Sequence, residues 1–196
     1  DRNIRLEWEK AGYNRMQTKI LDTQLFQEDG KIRITVAFQL TASWVQPIFQ
    51  GTAKWTVEKD GTLRVNVEGD RETVMPFLPR FGLRVFLPRD YCGVKYLGYG
   101  PMESYCDKRK AARLGFFTSD VESLHEDYLR PQENGSHCGC GFVELTTGDG
   151  RSLRASGRDF SFCVSRYTQE ELTRKRHNYE LEESPYTVLC LDGAIS

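Results

Sequence analysis

With 196 residues, the chain is long enough for one large domain or two small ones, and it can bury about 70% of its unfolded surface without covalent staples. Its 27 Lys and Arg against 28 Asp and Glu leave a net charge of −1, which excludes a bulk electrostatic hold on nucleic acid. No apolar run approaches the roughly 20 residues of a membrane span.

In chain order, residues 2–11 read as one short helix that Gly12 ends. Residues 17–26 follow as a strand candidate. Ile32, Ile34, Val36, Phe38 and Leu40 alternate with other residues, the pattern of a half-buried strand. Ala53, Trp55 and Val57 alternate, then Glu58-Lys59-Asp60-Gly61, then Leu63, Val65 and Val67. An Asp-Gly pair between two alternating runs predicts a hairpin. Further strands are expected at 81–87, 142–146, 160–165 and 187–191, with a turn at Thr147-Gly148-Asp149-Gly150. Residues 168–179 read as a second helix. Thr168 and Glu171 suit a capping box there, and Glu170–Arg174 and Glu171–Lys175 suit ion pairs one turn apart.

Between about 98 and 139 the pattern is irregular over a length unusual for a loop, so the segment is expected to be functional or packed on a partner. It opens with residues 97–109, LGYGPMESYCDKR, where two glycines, a proline and a carboxylate follow one another without helical or strand period. No repeat, low-complexity tract or linker divides the chain. Many strands and few helices argue a single all-β, antiparallel domain over residues 1–196, a sandwich or supersandwich with one or two short helices. The first residues, Asp1-Arg2-Asn3, and the apolar run 187–191 near the other end suggest a chain cut at both ends from something longer.

The six cysteines (Cys92, Cys106, Cys138, Cys140, Cys163 and Cys190) are too sparse for a disulfide framework. Several lie in apolar strand patterns, where a thiol behaves as a small hydrophobe. Their use fits a reducing, cytoplasmic compartment. His137-Cys138-Gly139-Cys140 has Cys-x-Cys spacing with no second ligand pair at finger spacing, and Cys163 is the one nearby candidate. It reads as a turn leading into a strand, not as a metal site. A Cys–His nucleophile needs an imidazole aimed at the sulfur, and neighbours on a strand point to opposite faces. His125 and His177 lie in polar stretches and read as solvated. Gly98-x-Gly100 runs into Pro101 and lacks the rest of a phosphate-binding fingerprint. The cluster Arg174-Lys175-Arg176-His177 reads as a solvated helix end.

Glu103 and Glu133 both lie in the irregular region. Two carboxylates about 5 Å apart would suit a retaining glycosidase. The alternative is that each accepts hydrogen bonds from loop backbone or from an arginine such as Arg109 or Arg130. Tyr96, Tyr99, Tyr105, Phe116, Phe117 and Tyr128 crowd the same region, either packing it down or forming a sugar-stacking platform.

The string from Gly98 to Lys108, GYGPMESYCDK, resembles the pattern G-x-G-P-x-E-N-Y-x-D-R of the C-terminal β domain of large bacterial β-galactosidases. Residues 128–135, YLRPQENG, are similar to that domain's Y-x-x-P-x-E-N-G. Residues 160–167, FSFCVSRY, 189–193, LCLDG, and Trp8, Ala11 and Gly12 as W-x-x-A-G complete the set in order, with Asp1 as the last residue of its D-N-D. Ser104 departs from the pattern's Asn, and Lys108 from its Arg, which exchanges a planar fork for a point charge.

The resemblance implies a supersandwich similar to galactose mutarotase. It implies that the parent protein is a retaining β-galactosidase acting on terminal galactosides such as lactose. Its catalytic glutamates lie on a separate barrel, and its magnesium and sodium ligands lie outside this domain. On that reading no catalytic or metal-binding residue falls in this segment, which is inactive alone and supports the active site and assembly. Its partners are the remaining domains or a large subunit of an oligomeric parent. Trp8, Trp44 and Trp55 match other places than the tryptophan that the family's domain lends to the galactoside pocket. The alternative is an independent carbohydrate-binding module using Glu103, Tyr105, Arg109 and Glu133. A third reading, by analogy of fold, is an aldose epimerase.

Overall fold

The computed structural model describes residues 4–43 and 46–195. The expectations placed on Asp1, Arg2 and Trp44 lie outside them. The architecture is all-β and antiparallel, in two sheets with two short α-helices among the described residues. The contacts divide the chain into two compact units, 1–77 and 78–196, although no change of composition announces the boundary.

In the first unit, α1 (Ile4–Lys10) precedes four strands, β1 (Gln17–Glu28), β2 (Lys31–Thr41), β3 (Phe49–Val57) and β4 (Leu63–Arg71), paired in that order. The Asp-Gly hairpin forms as expected. Gly61 takes φ +86°, and Asp60 accepts a bond from the Thr62 N–H at 2.9 Å. The W-x-x-A-G residues act as an anchor. The Trp8 indole donates to the Phe77 carbonyl at 2.9 Å and meets the Phe77 ring edge-on at 5.5 Å. Gly12, at φ +83°, turns the chain away after the helix, a conformation that a side chain disfavours.

The second unit is a six-stranded sheet of β5 (Arg80–Pro88), β6 (Gly93–Gly100), β7 (Arg113–Asp120), β8 (Ser136–Thr146), β9 (Ser152–Ser165) and β10 (Tyr186–Ile195). Its spatial order is β5-β10-β9-β8-β6-β7. One face carries the core, with Val94, Tyr96, Val143, Leu145, Phe162 and Leu189 closed off by Val121 and Leu124. Each fully buried side chain of this kind stabilises the fold by roughly 1.5–3 kcal/mol. Cys163, Val188 and Cys190 form a second cluster, with Cys163 and Cys190 opposite each other on β9 and β10. Cys92, Cys138, Cys140, Cys163 and Cys190 are free thiols.

The second helix, α2 (Gln169–Arg174), is shorter than the 168–179 expected. Thr168 caps it through the Glu171 N–H at 3.2 Å, but the Glu171 carboxylate accepts from the Glu182 N–H instead of closing the box. Glu171 pairs with Lys175 at 3.3 Å as expected, whereas Glu170 pairs with Arg84 of β5 at 2.8 Å instead of with Arg174. The irregular region is also more ordered than its pattern suggests. It holds the end of β6, all of β7 and the start of β8, leaving residues 101–112 and 121–135 as its two true loops.

Candidate functional site

β6 delivers the first loop. Gly100, its last residue, lies so close to Tyr96 that a Cβ would stand 2.2 Å from the phenolic oxygen. Ser104, where the β-galactosidase pattern has Asn, pins the loop down. Its N–H donates to the Ser136 carbonyl at 2.7 Å. Its hydroxyl donates to the Tyr99 carbonyl at 3.1 Å and accepts from the Cys138 N–H at 3.0 Å. Tyr105 and Lys108 then exchange backbone bonds of 3.0 and 3.2 Å, a tight reversal that returns Lys108 over the preceding segment.

That reversal serves Glu103. Its side chain is 5% exposed, and its carboxylate accepts three bonds: from Lys108 Nζ at 2.5 Å, from the Tyr128 hydroxyl, and from the Gly135 N–H at 2.9 Å. Lys108 also donates to Tyr128 at 2.7 Å. Burial alone would raise the Glu103 pKa, but the bonds from Lys108, Tyr128 and Gly135 outweigh it and hold the carboxyl below its usual value. The same contacts with Glu103 and Tyr128 push the Lys108 ammonium up. The cluster joins both signatures, since Glu103 and Lys108 come from the first and Tyr128 and Gly135 from the second. Lys108 makes the charge contact at a position where the pattern has Arg.

Beside it opens a cleft of about 490 Å³, lined among others by Met102, Glu103, Lys108, Arg109, Glu126 and Tyr128. Arg109 is exposed and its guanidinium lies 5.4 Å from the Tyr99 ring centre. Neither Tyr105 nor Glu133 is among the residues that line the cleft. Glu133 is ion-paired with Arg80, whose Nε also reaches Asp192 Oδ1 at 3.0 Å. The Asp192 side chain is 2% exposed, and burial raises its pKa to about 6, against the pull of Arg80 and with a push from Glu133. Burial and the carboxylates of Glu103 and Glu133 also push the Tyr105 phenol up, with Cys163 adding to the shift. The four candidates therefore do not form one site. Glu103 and Arg109 line the cleft, Glu133 sits with Arg80 and Asp192, and the Tyr105 phenol lies within electrostatic reach of both Glu103 and Glu133.

This geometry does not suit Glu103 and Glu133 as an acid and nucleophile. A general acid must keep its proton near neutral pH, and Glu103 is held in the opposite direction with both oxygens occupied. His137 is a core side chain. Its ring lies 4.6 Å from Tyr96 and 5.1 Å from Phe162, its Nδ1 is 3.0 Å from the Tyr99 carbonyl, and burial lowers its pKa. Cys140 bonds the His137 carbonyl at 3.3 Å, and burial pushes its thiol up to about 12, far from the thiolate that nucleophilic or metal chemistry needs. Among the described residues, no three His, Cys, Asp or Glu side chains gather to hold a metal ion. His125 is only partly exposed and lies 3.4 Å from Asp127, and His177 stacks on Tyr179 at 5.1 Å.

Sequence reasoning missed Arg80 and Asp192. Neither sits in a pattern that signals an ion pair. Asp192 belongs to the LCLDG match, which marks it for attention without naming its partner. Arg166 was also missed as a structural residue. It is buried, donates to the Arg89 carbonyl at 2.9 Å and to the Thr187 hydroxyl, and pairs with Glu122 at 2.7 Å.

A family model described as beta galactosidase small chain matches residues 1–196. Among curated relatives, a β-galactosidase of Actinobacillus pleuropneumoniae is 40% identical over 196 residues, covering 100% of this chain and 19% of the relative. One of Staphylococcus xylosus is 36% identical, covering 100% and 20%, and one of Streptococcus thermophilus is 32% identical over 184 residues, covering 92% and 17%. The chain spans about a fifth of the length of the curated relatives it matches.

Proposed function

We propose, from the premise that the chain belongs to the β-galactosidase small-chain family, that it is a non-catalytic C-terminal β domain of a retaining β-galactosidase acting on terminal galactosides such as lactose. The observation that carries the reading is the Glu103 cluster. The residues most specific to the signatures are spent on tying two loops together, and they leave no free acid–nucleophile pair between Glu103 and Glu133. On this reading the chain braces the catalytic part of its parent and takes part in assembly, within an oligomeric cytoplasmic enzyme. The magnesium and sodium ions would be held by other parts of that parent. No helix among the described residues is long and apolar enough to cross a membrane.

The test compares the whole protein with the 196-residue chain on a nitrophenyl galactoside. The whole protein is expected to turn it over and the chain alone to stay at the uncatalysed rate. Turnover by the chain alone would overturn the non-catalytic assignment, and an inactive whole protein would overturn the parent's activity.

A second reading has its own observation. The cleft beside Glu103 carries Arg109, Lys108 and Tyr128 at its wall, a mixture of donors and an aromatic face that suits a sugar. Titration with galactose and lactose decides it. A saturable signal that Arg109→Ala abolishes supports a sugar-binding cleft, and no signal at millimolar sugar removes it.

A further inference from the structure

Cys163 on β9 and Cys190 on β10 are register partners, and among the described residues no other two cysteines are. Partners on antiparallel strands point to the same face, with Cα atoms about 4.5–5.5 Å apart. A disulfide needs about 4.4–6.8 Å between Cα atoms, so these two sulfurs can join without moving the backbone. Both side chains are buried, and with Val188 they form one cluster. That cluster lies on the face opposite the core filled by Phe162, Val164 and Leu189, because side chains alternate along each strand.

The two sulfurs have different surroundings. Cys163 donates its S–H to the Asn134 carbonyl at 3.2 Å. The Cys190 sulfur accepts from the Gln169 amide nitrogen at 3.0 Å, and its partner on the other side is Arg84 of β5. Arg84 is exposed and donates to the Gln169 amide oxygen at 3.2 Å, which turns the amide nitrogen toward the sulfur. Cys190 therefore lies just beneath a polar surface. Burial raises the pKa of both thiols, so neither rests as a thiolate. At Cys190, however, Arg80, Gln169 and Arg84 act against burial, with Asp192 opposing them. Cys140 has no cation among the groups that shift it.

We propose that Cys163 and Cys190 are a peroxide-responsive modification site, at which hydrogen peroxide closes a disulfide between β9 and β10. The Cys190 thiolate attacks one peroxide oxygen. An S–O bond forms, the O–O bond breaks, and the departing hydroxide becomes water with the proton that the thiol gave up. The Cys163 sulfur then loses its proton, attacks the sulfenic sulfur of Cys190 and expels the oxygen as a second water. Two thiols are oxidised by two electrons, and peroxide is reduced to two waters. Closure is slow in the folded protein, because burial keeps both thiols protonated. Exchange with a small thiol reopens the bridge. The bridge also reaches the Glu103 clasp. The Asn134 carbonyl and the Gly135 N–H belong to one peptide group, which accepts from Cys163 and donates to Glu103. Closing the bridge takes the S–H away from that peptide. The inference does not rest on the galactosidase reading, and its test uses no sugar.

The whole protein that carries this chain is treated with hydrogen peroxide, its remaining thiols are blocked with iodoacetamide, and the unreduced digest is mapped by mass spectrometry. The peptides holding Cys163 and Cys190 are expected to appear joined and to separate on adding dithiothreitol. In Cys163→Ser, dimedone is expected to label Cys190 roughly fivefold or more over its labelling of Cys163 in Cys190→Ser. Hydrogen exchange at the Gly135 N–H is expected to quicken in the joined form. The absence of a joined peptide once the exposed Cys92 is fully oxidised overturns the proposal. So does a joined peptide that forms only after the circular dichroism of the sheets is lost. Equal dimedone labelling overturns Cys190 as the first sulfur to react, and unchanged exchange at Gly135 overturns the link to the clasp.

Discussion

Glu103 is a carboxylate whose value lies in where it is anchored. Removing it leaves Lys108, the Tyr128 hydroxyl and the Gly135 N–H without their shared acceptor. Glu103→Ala is expected to destabilise the protein by about 2 kcal/mol. That is less than the full cost of breaking a buried pair, because Lys108 remains 60% exposed to water. Urea midpoints read the loss, and an unchanged midpoint would contradict the clasp described above. Asp192 supplies the opposite pH signature. Folded, it keeps its proton up to about pH 6, against a reference value of 3.8. Between those values the folded state binds more protons than the unfolded one, so stability falls as pH rises through the window, by at most roughly 3 kcal/mol. Glu103, held low, contributes stability above its unfolded value that is lost on acidification. Asp192→Asn is expected to flatten the decline between pH 4 and 6, as followed by denaturant titration at several pH values. A slope that persists in the variant would assign the effect to another group.

At the level of elements, the strands that the sequence displays are of two kinds, the alternating runs of the first sheet and the largely buried segments 160–165 and 187–191 of the second. β2, β3 and β4 alternate in sequence as successive side chains of a strand point to opposite faces, and the Asp-Gly turn has a local chemical cause. β6 and β7 were hidden for two different reasons. In β6 the alternation of Val94 and Tyr96 breaks at Gly98 and Gly100, where the core leaves no room. A Cβ on Gly98 would stand 2.4 Å from Cys140 Sγ. In β7 a glycine and adjacent phenylalanines erase the period, because an edge strand with an open outer face lacks the constraint that produces it. Gly98→Ala is expected to cost about 1–3 kcal/mol through overpacking. Adding Cys140→Ala should recover much of that loss, and thermal melts of the two single variants and the double variant measure the recovery. Of the candidate site, Glu103, Lys108, Tyr128 and Gly135 were legible through the signatures. Arg80 and Asp192 were not, because an ion pair across distant strands is fixed by tertiary register, which leaves no local mark.

For the molecule as a whole, the two units differ in how they hold themselves together. Both clusters of buried apolar residues lie within 78–196. The first unit buries Ala42, Ile48, Phe49 and Ala53, while every residue of β1 is exposed. The fragment 78–196 is expected to unfold cooperatively on its own, and the fragment 1–77 to show no sigmoidal transition. Circular dichroism during heating separates these outcomes, and a cooperative 1–77 would show that its sheet needs no further cover.

The Glu103 clasp bears on how this polypeptide can change over time. Glu103 and Gly135 bound an excursion that contains β7, and their bond closes it much as a crosslink would. Because closure entropy grows only slowly with the length of a closed segment, the span between the two ends is free to lengthen, shorten or alter its surface without loosening the fastening. A sequence can thus keep the two signatures fixed while the strand between them drifts, and new association surfaces can arise there at little risk to the fold.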